Sequence, residues 1–547
     1  MRKFIAIGLA AALLLPGCVA VDNSLGKGLV DKTLLFDTYT VTFPLEEIEM
    51  RMSDGLSGYS DSHLTLGAIR DDVFGLTTRE AAFNLIPALD TLDLGSNPQA
   101  VSFDLYFEGD TISCAQDDQT RILQNIYVTE LTQRLPTDYT TSTQEIPHGT
   151  TLITKGTPVY NGSGYLTFNF TKEFAQKYVD GIRELGPVLK DRSSEDGVDK
   201  YEEYLDLLPG IHLRTDVPEG RGGRINLFDF SCLSVSNNYY QRNNNVSLLK
   251  VHSTWAGVEK DSTFILIPGE TEFADEAEYV NNNSKFYQYC FNRTGHSTSP
   301  IMADEHVLVE GGGGMKPVIS ASELRRKTLD AIAVRGGNTD EALIVKATIL
   351  LPFEMPEDYQ QLKYFPTVLS PTIRKVDEDD PNLVGFAGLT DASVSSENQG
   401  DIDRSNLTYA PDITYHLQQI LDTSRENSVA DSDIWLLTIH TQKVANASGS
   451  LYDNSYYQNL LYASYYNSLY GGGYGGYGYG YGSGYGYGGY SNYYNYLMLA
   501  QMMESSTQQT YSYTTELDKD RYYCGILNGP ACERKPMFRV TFAIPQK

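Results

Sequence analysis

Phe36-Asp37-Thr38-Tyr39-Thr40-Val41-Thr42-Phe43 alternates polar and apolar side chains and is built almost wholly from aromatic and β-branched residues. A period of two sends successive side chains to opposite faces of a strand, and these residue types suit a pleated, half-buried surface. The stretch therefore predicts a β-strand with one face on a core. The same texture returns at Val101-Ser102-Phe103-Asp104-Leu105-Tyr106-Phe107, at 126–131 and at 165–170. Thr171 then predicts a helix N-cap, with Glu173 and Phe174 in the first turn and the helix running to about Leu185. The charged text from there to Ile211 predicts further helix.

A second strand-rich block starts near Arg224, with strands predicted at 246–251, 263–267, 306–310, 342–353, 434–440 and 538–544 and helices inserted at 320–329 and 413–423. Short strands separated by Gly, Pro, Asn and Asp favour sandwiches over α/β units. A chain of 547 residues also exceeds what one core serves. The predicted fold class is mainly β, with two β-sandwich-like domains at 36–215 (helical at its end) and at 216–450 plus 514–547. Between the two pieces of the second domain, 451–513 breaks the composition: from Tyr470 to Tyr490 only Ser483 interrupts Gly and Tyr. Glycine at that density packs no core. The insertion reads as a low-complexity hairpin whose flanks, 452–470 and 493–504, form short helices. Tyrosine offers apolar area with a polar tip and methionine adapts to irregular partners, so Tyr465, Tyr466, Tyr470, Tyr493, Tyr494 and Met502 are the candidate partner contacts.

Upstream of the first strand, Arg2 and Lys3 precede an apolar run that ends in Leu15-Pro16-Gly17-Cys18. A basic start, a short apolar stretch and a cysteine after a small residue predict a lipoprotein signal peptide at 1–17, lipidation of Cys18 and a tether at 18–35. Two or three acyl chains, such as palmitate, would make a stable anchor where one would not. No later stretch predicts a span, since 342–353 is short and carries Lys346. The formal charge of −28 disfavours nucleic acid as a partner, because phosphate binding needs lysine and arginine clusters.

Of the other cysteines, Cys114, Cys232, Cys290, Cys524 and Cys532, the last two are the candidate disulfide. Gly525, Asn528, Gly529 and Pro530 between them can turn a hairpin; the alternative is that all five are buried as small hydrophobes. No catalytic motif, cofactor motif or metal-ligand spacing is present, and the eight histidines are scattered. Glu310-Gly311-Gly312-Gly313-Gly314 reads as a backbone turn, and Asp377-Glu378-Asp379-Asp380 as a solvated loop.

Several pieces together resemble a known family. The stretch 64–75, with Leu66-Gly67 and Arg70-Asp71-Asp72-Val73-Phe74-Gly75, is followed by Asn97-Pro98 and the strand at 101–107. Later come Val309-Glu310-Gly311 through Lys316 and Leu324, then 342–352 and the Tyr-rich insertion. These are similar to the domain-of-unknown-function 4270 lipoproteins of Bacteroidota, although Gln99-Ala100 stands in place of an Asp-Ser pair. The resemblance implies an outer-membrane lipoprotein built largely from strands, with no activity or site residues to carry over. It also implies glycan attachment at triplets such as Asp90-Thr91-Leu92 and Asp110-Thr111-Ile112.

The expected function is a non-enzymatic accessory that docks on an outer-membrane protein through the insertion. The alternatives are a surface glycan binder using Trp255 and Trp435, and, behind it, a glycoside hydrolase whose paired carboxylates leave no linear motif. With Asp22 the one acid just after Cys18, both the periplasmic and the cell-surface face stay open.

Overall fold

The computed structural model describes residues 36–445 and 511–546, apart from 54, 61–62, 73–74, 115–116, 137–140, 192–196, 231–232, 237–238, 243–245, 270–289, 298–300, 377–383, 390, 392–399 and 422–431. The fold is mainly β, made of antiparallel sheets with few helices. Phe36–Pro44 is indeed a strand, and its burial alternates as its sequence does. Its partner is the last strand, Met537–Pro545, in continuous register from Phe36↔Pro545 to Pro44↔Met537. Tyr39, Val41 and Phe43 thereby lie opposite Phe542, Val540 and Phe538. Thr40 and Thr541 share a hydrogen bond of 2.9 Å on the outer face.

Two bodies follow from the pairings. Fourteen of the strands between Tyr59 and His296 make one sheet, which encloses a core containing Phe83, Phe103, Phe107, Phe168 and Phe170. The other body joins both ends of the chain. Its five-stranded sheet holds Phe36–Pro44, Leu343–Pro352 and Met537–Pro545, while its seven-stranded sheet holds Ile48–Met52, Met315–Ile319, Leu369–Val376 and Ile434–Ala445. Between these two sheets lies a second core containing Ile48, Leu324, Ile349, Ile434, Phe538 and Val540.

The division expected after residue 215 is therefore not where the sheets part. Ile211–Thr215 pairs with Gly75–Phe83 and Gln124–Leu131, and Gly222–Asp229 pairs with His63–Asp71 and Ser96–Cys114, all in the 14-stranded sheet. Alternation reveals that a segment is a strand; it carries no information about which distant segment pairs with it.

Local capping signals read well. Thr171 accepts from the Phe174 amide and starts the helix Lys172–Leu185, which Gly186 ends at φ 85°. Ser320 caps Ala321–Val334 in the same way through the Glu323 amide. The helix expected from Leu185 to Ile211 shrinks to Tyr201–Leu207. Gly186-Pro187 breaks the first helix, and the next stretch forms bridges, Thr91↔Val188 and Lys190↔Asp199, instead.

Candidate functional site

Two features stand out, and a few residues join them. The first is a ribbon. Ile434–Ala445 pairs with Leu369–Val376 only as far as Thr438. Beyond it, among the described residues the strand continues with Tyr511–Leu517 alone, from Ile439↔Leu517 to Ala445↔Tyr511. The ribbon's far end is where the chain departs into the Tyr/Gly-rich stretch. Its base is fixed: the Asp518 amide donates to Thr438 O at 2.9 Å and the Thr438 hydroxyl to Asp518 O at 3.1 Å. Trp435, Leu437, Leu517, Phe386, Val318 and Leu56 form an apolar pad there. Because Tyr511 already pairs, the insertion is shorter than 451–513 by its last residues.

The second feature is a buried charged junction between the two bodies, and the residues following the ribbon run straight into it. The turn Gly311–Gly314 is buried. On one side, from the 14-stranded body, stand Thr77, Arg79, His63 and His296. On the other stand Glu310, Lys316, Asp518, Asp520, Tyr522 and Tyr523. Glu310 is 1% exposed. Its Oε1 accepts from Thr77 Oγ1 at 2.6 Å and Tyr522 OH at 3.0 Å. Its Oε2 accepts from the Met315 amide at 2.9 Å and lies 3.4 Å from His296 Nε2. Lys316, fully buried, sends its ammonium into the carbonyls of Glu310, Gly312 and Gly314. The turn read from sequence is thus also a cage of carbonyls around a cation.

Burial, reinforced by the neighbouring Arg79 charge, pushes Lys316 down to about 7 against the pull of Glu310 and Asp518. Burial likewise lowers Arg79, opposed by Glu310, Tyr522, Asp520 and Asp518. A lysine whose folded value lies below its unfolded 10.5 releases its proton earlier in the folded state. Between about pH 7 and 10.5 the unfolded chain binds more protons, so stability should rise with pH across that window. Urea midpoints at pH 7 and about pH 9 should show this rise in the wild type and a flatter response in Lys316→Met. Equal slopes in the two proteins would refute it.

His63 illustrates why the junction is not a nucleophilic triad. Its Nε2 lies 3.3 Å from Asp110 Oδ2 and its Nδ1 3.7 Å from Asp520 Oδ2. Ser60 Oγ donates to Asp520 at 2.7 Å, so the hydroxyl points at the carboxylate and not at the imidazole. Burial draws the His63 value down, but Asp520 and then Asp110 outweigh it and leave it raised. Among the described residues no group of three or more His, Cys, Asp or Glu could hold a metal ion. Across the two bodies His63 lies against Asp520 and His296 against Glu310, while Lys316 and Arg79 donate to carbonyls of the glycine turn.

Sequence reasoning missed this cluster, and the residues it named fall elsewhere. Cys18, Tyr465, Tyr466, Tyr470, Tyr493, Tyr494 and Met502 lie outside the described residues, as does the acidic run at 377–380. The Cys524–Cys532 pairing is corrected: both thiols are free. Cys524–Asn528 pairs with His306–Glu310. The strand after the turn, Met537–Pro545, joins the five-stranded sheet, so no hairpin brings the sulfurs together. Instead Cys532 Sγ donates to Glu305 O at 3.0 Å.

Of the two tryptophans, Trp435 is 4% exposed, edge-on to Phe386, and has no face for a sugar. Trp255 is half-buried, with the Lys260 ammonium 4.6 Å from its ring. Thr91 and Thr111 are both exposed. No helix among the described residues is long and apolar enough to cross a membrane. Comparison with protein-family models, curated proteins and solved structures finds no match for this chain.

Proposed function

We propose that this protein is a lipid-anchored, non-enzymatic accessory of a cell-envelope complex, held at the outer membrane through Cys18, which meets a protein partner through its Tyr/Gly/Met-rich segment. The observation that carries this reading is the ribbon: seven successive cross-strand pairs, Ile439↔Leu517 to Ala445↔Tyr511, lie beyond the last pairing with the sheet. An isolated two-stranded ribbon is marginal in water, so its base needs the pad and the Thr438–Asp518 bonds described above. Tyrosine and methionine at its end supply contact area that tolerates irregular surfaces. Within the junction Glu310, Lys316 and Asp518 are each held by internal partners. Glycan capture is the weaker reading because Trp435 is enclosed.

Joining Ala445 to Tyr511 through an Asn-Gly turn removes the segment and closes the ribbon as a hairpin. Pull-down of that variant from solubilised membranes should lose the wild-type protein partners while the melting temperature stays unchanged. Retention of the same partners by a folded variant would overturn the proposal.

A further inference from the structure

A row of polar side chains crosses five neighbouring strands of the 14-stranded sheet. Arg293 and Glu80 stand directly opposite on Cys290–His296 and Gly75–Phe83, with Arg293 Nη1 3.4 Å from Glu80 Oε1. Next to them, on Ile211–Thr215, His212 brings its Nε2 within 3.1 Å of Glu80 Oε2. His212 in turn stands opposite Thr129 of Gln124–Leu131. Thr129 Oγ1 is 3.2 Å from Nδ1 of His148, the first residue of the strand His148–Leu152. The row closes on itself there: the His148 and His212 rings stack, with centroids 4.0 Å apart and planes 15° apart.

The stretch 141–148 fastens onto this row. Its Glu145 carboxylate pairs with Arg293, and its Ile146 is buried with Ala82, Leu131 and Phe291. Its other end reaches the second body. The Ser142 amide donates to Leu56 O at 2.8 Å, Thr141 and Ser57 form a bridge, and Leu56 belongs to the pad with Trp435 and Leu517. The Thr294 amide, from the 14-stranded sheet, donates to Ser142 O at 2.7 Å. The stretch is thus a strap between the bodies, and the histidine stack is one of its fastenings.

The stack accommodates one charge but not two, because two imidazolium rings at this distance repel. Burial raises Glu80, but the His212 bond and Arg293 outweigh it and leave it lowered, so it stands as a carboxylate. A carboxylate only accepts, so His212 Nε2 carries the proton between them, and a second proton would have to sit on Nδ1, which is buried without a partner. Burial lowers His212; Glu80 opposes this, while His148 and Arg214 add to it. Arg293 and Glu145 complete the charged groups around the pair. Once the strap is released, both imidazoles take protons near the ordinary 6.5. Below that pH the released form binds more protons than the fastened one, so acid favours release, by about tenfold per pH unit for each extra proton.

We propose that 141–148 is an acid-released strap: protonation of the His148–His212 stack frees it from the sheet and loosens the attachment at Leu56 and Ser57 that ties the two bodies. The test is hydrogen exchange of the full chain at about pH 7.5 and about pH 5.5, corrected for intrinsic rates. Protection of the Ser142 and Thr294 amides should fall about tenfold at the lower pH, while that of the helix Lys172–Leu185 holds. His148→Phe with His212→Gln keeps a flat ring and a donor for Glu80 but takes up no proton, so its protection should be the same at both. Unchanged protection in the wild type, or an equal fall in the folded double variant, would overturn the proposal. Should the double variant fail to fold, imidazole proton NMR of the wild type decides. One ring that stays untitrated until Ser142 loses protection supports the strap; both rings titrating near the ordinary value while Ser142 stays protected overturns it.

Discussion

Glu310→Ala is expected to lower the stability of the folded chain by about 3–5 kcal/mol, the usual cost of removing one partner from a buried charge network. The side chain is 1% exposed and belongs to the body formed by the chain's two ends, yet it is bonded to Thr77 of the other body. Without it Tyr522 OH and the Met315 amide lose the bonds they give to Glu310, and Arg79 loses the charge that most opposes its burial. Glu310→Gln keeps the shape and one acceptor oxygen, so it should cost less, and the gap between the two measures the charge. Urea unfolding of both variants at pH 7 checks this. A loss below about 1 kcal/mol for the alanine, the scale of an exposed ion pair, would mean that water reaches the junction.

Phe103→Ala should be as damaging, at about 3–5 kcal/mol, for a different reason: it empties a close-packed core. Phe103 is fully buried, with ring centroids 4.8 Å from Phe170, 6.0 Å from Phe174 and 5.2 Å from Tyr178. It joins the long strand Ser96–Cys114 to the helix Lys172–Leu185, whose buried face includes Phe174 and Tyr178. Hydrogen exchange should therefore show lost protection along that helix, while Leu343–Pro352 in the other body stays protected. Equal loss in both bodies would show that they unfold as one unit.

The sequence made elements legible where the cause is local. Alternation located the strand at 36–43, and a threonine and a serine located two helix starts, because pleat and cap chemistry act over a few residues. Pairing was hidden, since nothing in Phe36–Phe43 points to Met537–Pro545. The junction was hidden for the same reason. Arg79 lies in Thr77-Thr78-Arg79-Glu80 and the two aspartates in Asp518-Lys519-Asp520-Arg521, stretches in which no apolar residue marks burial. Only when two bodies meet do those charges neutralise one another out of water. One local signal was available: Lys316 stands with Pro317 inside the strand Met315–Ile319, all of it buried. A cation there must find acceptors, and the four preceding glycines are the nearest source.

The pairing of the first strand with the last also imposes a timetable. Thr40 and Thr541 are 501 residues apart. At ordinary translation rates the second of them is made on the order of a minute after the first. Through that interval a nine-residue strand rich in threonine and aromatics stands with both edges open, the form most prone to pairing with the wrong neighbour. The 14-stranded body meanwhile holds all its strands between Tyr59 and His296 and can close first. The body built from both ends thus closes late, when residues 511–545 supply partners not to the first strand alone but also to His306–Glu310, Leu343–Pro352 and Ile434–Ala445.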